Sequence, residues 1–268
     1  ILLNIDIDAP ATSLIKFAVE LAKRFDAKLI GSSSAEIVIP IALGETELID
    51  REIVERQRKA IEVRLRELQQ KFIDVAGSGV EIEWRGELAN PTKFLAQIAR
   101  AADLIVTGSP EGAISADSYR STDLGNLILE AGRPVLLAAG GAEHLPARKV
   151  LIAWKDCREA RRVVADALPF LSGANEVVIA TVERKDSPSS KESAADVAAY
   201  LARHGVRAKT ERLIGKNDAE DLLKFARSIH ADLIVSGAYG HSRLHEWVFG
   251  GVTISLLDEI KISRFMSS

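Results

Sequence analysis

Ala102-Asp-Leu-Ile-Val106, followed by Thr107-Gly108, recurs as Ala231-Asp-Leu-Ile-Val235, followed by Ser236-Gly237. Self-similarity at a fixed separation marks a repeat architecture and has to be settled before any element is assigned. Upstream, Gly86 and Gly215 keep the separation of Ala102 from Ala231, each ahead of a helix-like segment. Phe94-Leu95-Ala96 through Ala99-Arg100 parallels Leu223-Lys224-Phe225 through Ser228-Ile229. The beginnings match too, at a longer separation: Ile1-Leu-Leu-Asn-Ile-Asp6 lines up with Val150-Leu-Ile-Ala-Trp-Lys155.

The starts of the copies thus stand further apart than their later parts do, so the first copy has a longer middle segment. Within it, Glu45 to Ile73 carries Leu48, Ile49, Ile53, Ile61, Leu65, Leu68 and Phe72 at helical spacing. That spacing predicts one long amphipathic helix. Between the copies, Ala138 to Lys149 (AAGGAEHLPARK) has Gly-Gly, Pro and no periodicity, and reads as the seam. The expected modules are residues 1–140 and 148–268.

Inside each copy, short apolar strands alternate with helical patterns. In the second, strands are expected at Lys149–Trp154, Glu176–Val182, Val206–Leu213, Asp232–Ser236 and Ile262–Met266. Helices are expected at Arg158–Leu171, Lys191–His204, Asp218–Ile229 and Val252–Ile260. The runs VLIAW, EVVIATV and DLIVS are almost wholly apolar, as strands covered on both faces by helices are. Repeated β–α alternation predicts an α/β fold, a doubly wound parallel sheet built twice.

Composition agrees with a folded chain of that size. The 268 residues are 47% hydrophobic and 27% charged, with 18 Gly and 8 Pro, which excludes a disordered or collagen-like protein. The net charge of −3 argues against a nucleic-acid coat. Cys157, a single cysteine, makes no internal disulfide and no thiolate metal site, and suits a reducing compartment. No apolar run approaches the ~20 residues of a membrane span. The start, ILLNIDID, has no leader-like n-region, although the chain begins without Met. His144, His204 and His230 show no metal-ligand spacing, so no metal site is expected.

Ligands of doubly wound sheets sit beyond the C-terminal strand ends. There the second copy has Gly237-x-x-Gly240, nine residues, then Gly250-Gly251-Val252-Thr253. Gly237 and Gly240 allow tight turns and close approach of a ligand to backbone N–H groups. Gly250 and Gly251 open the next helix, whose free N–H groups suit phosphate, and Thr253 offers a hydroxyl. The same glycines also serve a turn that binds nothing.

With this loop in view, the chain resembles the universal stress protein family. ATP-binding members of that family carry a Gly-x-x-Gly, nine residues, Gly-(Ser/Thr) loop after a strand like DLIVSG. Their first strand ends in Val-Asp and small residues, as ILLNIDID and VLIAWKD do in outline. The resemblance covers nearly the entire chain, as a tandem of two modules. It implies an adenine nucleotide, ATP first, with magnesium only as the nucleotide brings it. It implies contacts from Ala153, Trp154 and Asp156 at the first strand's end and from Val182, whose backbone would read adenine. Gly237, Gly240, His241, Gly250, Gly251, Val252 and Thr253 would line the phosphates. It also implies modules that meet through their last strands as a pseudo-dimer, and allows a further homodimer of chains.

Departures from the pattern are expected to matter. Gly251 stands where Ser or Thr is usual, and Lys155 stands where the first strand's Asp is usual. Lys155 is either a phosphate partner or a solvated charge. The first copy keeps Asp6, but its loop, Gly108-Ser-Pro-Glu-Gly112, has an extra residue, and Thr122-Asp123 replaces Gly-(Ser/Thr). Glu111 and Asp117 would repel phosphate. The first site is therefore read as degenerate.

Other residues are weighed the same way. His241 and His245 flank Arg243 within the loop, as phosphate contacts or a solvated face with Glu246. Cys157 stands near a helix start, where a thiolate would be stabilised, or where it merely replaces Ser. Trp154 is expected in the core or a pocket wall, and Trp247 over the loop. The basic, amphipathic stretch Arg58 to Lys71 could lie on a membrane or bind a partner helix, but Glu55, Glu62 and Glu67 dilute its charge, and it reads as a solvated face. The leading expectation is a cytoplasmic stress-response regulator that binds an adenine nucleotide in its second module and alters a surface for an unknown partner protein. The alternatives are a non-nucleotide interaction scaffold and, with least support, a slow ATP hydrolase. No catalytic residue is expected, and neither nucleic acid nor membrane is expected as a partner.

Overall fold

The computed structural model describes residues 1–38, 51–108, 117–183, 188–215, 217–238 and 251–268. In the first half the order is β1 (Leu2–Asn4), α1 (Thr12–Arg24), β2 (Leu29–Ser34), α2 (Arg51–Ala76), β3 (Ile82–Glu87), α3 (Pro91–Ile98), β4 (Ile105–Thr107), α4 (Leu124–Glu130) and β5 (Val135–Leu137). In the second it is β6 (Lys149–Ala153), α5 (Arg158–Asp166), α6 (Leu168–Leu171), β7 (Glu176–Glu183), α7 (Pro188–Arg203), β8 (Ala208–Ile214), α8 (Asp218–Ser228), β9 (Leu233–Gly237), α9 (Gly251–Leu257) and β10 (Ser263–Ser267).

Helix starts follow from capping. Asn90 accepts from the Lys93 N–H and precedes Pro91, whose missing N–H costs nothing at the first helical position. Asp123 and Asn217 cap α4 and α8 in the same way. Two expectations change. The helix expected over Arg158–Leu171 breaks at Ala167, because Pro169 has no N–H to give to the turn behind it. The long helix runs over Arg51–Ala76 with Ile61, Leu68 and Phe72 buried, but Ile53 is exposed. Leu48 and Ile49 lie outside the described residues.

The strands form one ten-stranded sheet in the order β3-β2-β1-β4-β5-β10-β9-β6-β7-β8. All neighbours are parallel except β5 and β10, which pair antiparallel. Register confirms both separations of the repeat. Leu2 pairs with Ile105. Leu151, the counterpart of Leu2 by the longer separation, pairs with Ile234, the counterpart of Ile105 by the shorter one. By the shorter separation Leu136 and Phe265 are also counterparts, and they pair with each other. A residue that pairs with its own counterpart lies on a two-fold axis, so a pseudo-two-fold passes between β5 and β10.

The apolar layers do not stop at that axis. One face holds Leu3, Phe17 and Phe72 together with Val163, Phe170 and Phe265. The other holds Leu2, Leu127 and Leu137 together with Leu151, Leu222 and Met266. Phe170 bridges the halves, 5.0 Å from Phe25 and 5.5 Å from Phe265. Arg24 lies over the Phe25 ring and donates to the Leu145 carbonyl in the seam. Among the described residues, no helix is long and apolar enough to cross a membrane.

Candidate functional site

In the second half, β7 outruns β6. The β6–β7 ladder ends with Ala153 opposite Ala180, whereas β7 continues to Glu183 beside β8. Half-buried Val182, opposite Leu213, thus forms a wall beyond the end of β6. Trp154 continues the ladder by donating its N–H to the Ala180 carbonyl at 2.8 Å. Its indole is buried and donates to the Ser193 hydroxyl of α7 at 3.2 Å. It is a supporting wall, tied to the helix behind it.

Lys155 and Asp156 are exposed. The Asp156 carboxylate is held by Arg161 at 2.6 and 3.0 Å. Cys157 stands at the N-cap of α5 without a side-chain capping hydrogen bond. The stabilised thiolate considered from the sequence is not what this site makes. Burial pushes the Cys157 thiol up, and the Glu159 charge adds to the effect.

Gly237 ends β9 against the first turn of α5. A Cβ there would lie 2.6 Å from the Ala160 nitrogen and 2.7 Å from the Glu159 carbonyl carbon. Packing against backbone demands this glycine. Gly251, Val252 and Thr253 form the first turn of α9. Thr253 is buried, as is its counterpart Leu124. Gly240, His241 and Gly250 lie outside the described residues, as do Arg243, His245, Glu246, Trp247 and Glu111.

The first half fills the same place with its own chain. Asp6 Oδ1 accepts from the Thr122 N–H, the Thr122 hydroxyl and the Asn4 amide, each at 3.1 Å. Asn4 also donates to the Thr107 hydroxyl. Arg120 grips Asp8 with two hydrogen bonds of 2.6 and 2.9 Å, which hold the Asp8 carboxyl below its usual range. The Tyr119 carbonyl accepts from the Glu36 N–H, the Ser118 carbonyl from Asn90, and Asp123 N–H donates to the Thr92 hydroxyl. Residues 117–123 are thus a strap tied to the ends of β1 and β2 and to the start of α3.

Burial raises the Asp6 carboxyl above the usual aspartate value, against the pull of its three hydrogen bonds. An acid raised on folding binds protons more tightly in the native state. Stability therefore falls as pH rises through the window between the usual and the raised value. Asp6→Asn keeps an acceptor for Thr122 without the buried charge. It is expected to melt above wild type near neutral pH, with the difference shrinking as pH falls toward about 4, the ordinary aspartate range. Circular-dichroism melts at both pH values check this, and a variant less stable at neutral pH would refute it.

The sequence reading misses the strap, although Asn4 inside an apolar strand is a visible signal. It misses Arg264 as well, which is buried in β10. A groove of about 510 Å³ between α8 and α9 is lined by Lys224 and Arg227 but also by Glu220, so its charge selects no ligand. Among the described residues no His, Cys, Asp and Glu cluster could hold a metal.

The universal stress protein family model matches residues 163–264. The structure of a universal stress protein from Archaeoglobus fulgidus DSM 4304 is 15% identical and covers 100% of this chain and 97% of its own, with a TM-score of 0.73. A functionally unknown protein from Pseudomonas aeruginosa PAO1 is 16% identical, with coverage of 99% and 91% and a TM-score of 0.60. A putative universal stress protein from Pseudomonas aeruginosa UCBPP-PA14 is also 16% identical, with the same coverage and a TM-score of 0.56. At these identities the structures establish the fold alone. No curated protein matches the chain.

Proposed function

From a chain whose residues 163–264 match the universal stress protein family and whose whole length carries that fold, we propose a stress-response regulator that binds an adenine nucleotide, ATP first, in the second module. The modules are residues 1–140 and 148–268. The inequality of the two sites carries this reading. The first module's strand ends are tied down by residues 117–123 and by Asp6, while the glycines of the loop pattern of ATP-binding family members survive in the second, with Gly251 in place of the usual Ser or Thr.

Ala153, Trp154 and Asp156 come from the end of β6, Val182 from β7, Gly237 from β9, and Gly251, Val252 and Thr253 from α9. All approach the C-terminal side of the sheet, where ligands of such folds bind. Gly240, His241 and Gly250 complete the pattern in sequence. Backbone N–H groups hold the phosphates, and magnesium arrives with the nucleotide. Occupancy changes a surface read by a partner protein in the cytoplasm, without turnover. The β5–β10 edges are spent inside the chain, so a homodimer of chains would use another surface.

Equilibrium dialysis with ATP is the test. Retention of nucleotide is expected, and no binding at millimolar ATP removes the reading. A second reading, a scaffold that ignores nucleotides, is favoured by two observations. Asp156 is already engaged by Arg161, and Thr253 is buried. It predicts partner capture unchanged by ATP.

A further inference from the structure

The sheet ends on β3 at one side and on β8 at the other, and the two edges are finished differently. An unpaired edge is a template for another strand unless something blunts it. On β3, Ile82 to Arg85 are half-buried, Trp84 packs on Phe72 of α2 at 5.6 Å, and Glu83 is shared by Lys28 and Arg85. On β8, Lys209, Thr210, Glu211 and Arg212 are all exposed. Successive side chains of a strand point to opposite faces, so the helices leave both faces of this edge open there. Ile214 closes the strand at 63% exposure, more than any other large apolar residue among those described.

The ladder fixes which main-chain groups of β8 face outward. It pairs with β7 without a bulge, from Val177 opposite Ala208 to Glu183 opposite Ile214. Just beyond, the Gly215 N–H donates to the Glu183 carbonyl at 3.0 Å. Alternation then turns the main-chain groups of Lys209, Glu211 and Leu213 toward β7, and those of Ala208, Thr210 and Ile214 outward. Two copies of this edge related by a two-fold axis across the sheet run antiparallel. Their outward groups meet only if the axis passes through a residue, because an axis between residues sets outward groups against inward ones. Through Lys209, Glu211 or Arg212 the axis places like charges directly opposite, and through Ala208 it places Lys209 opposite Arg207. Through Leu213 it leaves most of the strand unpaired. Through Thr210 it places each Lys209 opposite the Glu211 of the second copy, and Thr210 opposite itself. The charges that guard this edge therefore admit a single register.

We propose that β8 is the pairing edge of a homodimer, joined to a second copy about a two-fold axis at Thr210, so that one sheet continues through both chains. The Thr210 N–H of each copy donates to the Thr210 carbonyl of the other. Lys209 and Glu211 stand on either side in the closer, non-hydrogen-bonded pairs, where side chains interact across strands. Glu211 is exposed and makes no ion pair among the described residues. Lys209 reaches Glu176 at 3.1 Å, but Glu176 also holds Lys149 at 3.0 Å, so Lys209 can turn to the second copy without stranding that acid. Ile214 is carried to residues 206–208 of the second copy, out of water. This pairing is independent of the nucleotide reading and leaves the β5–β10 junction as it is.

Sedimentation velocity of the full chain and its variants is the test. Wild type is expected to run as a dimer at roughly 100 μM. Lys209→Glu and Glu211→Lys each set like charges opposite twice, and each is expected to weaken the dimer at least roughly tenfold. Mixed in equal amounts, these two variants pair Glu with Lys at both places and are expected to dimerise with each other, as is the double variant with itself. Thr210→Pro removes an outward N–H that β7 does not use, and is expected to run as a monomer. All these side chains are exposed, so the variants should melt close to wild type with dimer contributions removed by dilution. A wild type that stays monomeric, or that grows beyond two chains, overturns the inference. So does a dimer that survives Lys209→Glu and Thr210→Pro, or a mixture of the two charge variants that does not associate.

Discussion

Gly237→Ala is expected to cost the protein about 3 kcal/mol, while the counterpart change Gly108→Ala is expected to be near neutral. The added methyl is the same, and so is the place in the repeat. The surroundings differ. At 237 the Cβ would meet the Ala160 nitrogen at 2.6 Å, the Glu159 carbonyl carbon at 2.7 Å and the Ala160 Cα at 3.0 Å. All three are backbone atoms of a helix start, so no side-chain rotation relieves the clash. Either β9 or α5 must shift, and β9 is fixed between β6 and β10. At 108 the nearest atom is the Leu14 Cδ2 at 3.7 Å, an ordinary contact with a movable side chain. Urea unfolding of both variants measures the difference. Equal midpoints would refute the packing role of Gly237.

The repeat makes the architecture legible. ADLIV twice, with two separations, is enough to place strands and the long helix of the first copy, because buried parallel strands leave unbroken apolar runs. The failures have separate causes. Pro169 is hidden within an amphipathic pattern, and apolar periodicity is blind to a missing N–H. Ile53 fits the helical spacing of its neighbours, yet spacing does not say where a helix extends beyond the sheet it covers. Continuity of the two cores is also out of reach, since it depends on β5 meeting β10, a pairing distant in sequence. At the site, the sequence points to strand ends, and what it does not foretell is that Gly237 packs directly on the backbone of α5. Thr253, expected to offer a hydroxyl, is buried in the first turn of α9, which its sequence position does not foretell. Lys155 at the position of Asp6 is visible in the sequence, whereas the hydrogen bonds that bury Asp6 against Thr122 are not.

Arg264→Leu is expected to be still more damaging, at about 4 kcal/mol, and to unfold both halves together. Arg264 is fully buried in β10. Its guanidinium donates to the Leu256 and Ile262 carbonyls at 2.8 Å and to the Leu257 carbonyl at 3.3 Å. Two of those carbonyls end α9, where the helix leaves carbonyls without partners; Leu256 accepts only a long 3.4 Å bond from the Glu259 N–H besides. Burial pulls the Arg264 pKa down to about 10, with Glu259 opposing, so it remains charged at neutral pH. Replacing a buried charge by an apolar side chain can be neutral when its partners go too. Here the partners are main-chain carbonyls that stay behind, and those of Leu257 and Ile262 each cost about 1–3 kcal/mol when this donor is lost. Relief from desolvating the guanidinium offsets part of that sum. Lys at this position keeps the charge but not the planar fork, so Arg264→Lys should fall between Leu and wild type. The loss cannot stay local, because β10 pairs with β5 of the first half and β9 of the second, and the apolar layers run through it. Trp84 in β3 and Trp154 after β6 report on the two halves separately. Single-tryptophan versions followed by fluorescence in urea should give one shared midpoint, shifted down together by Arg264→Leu. Two midpoints, with only that of Trp154 lowered, would show that the modules are stable independently and that their shared sheet is contact rather than cooperation.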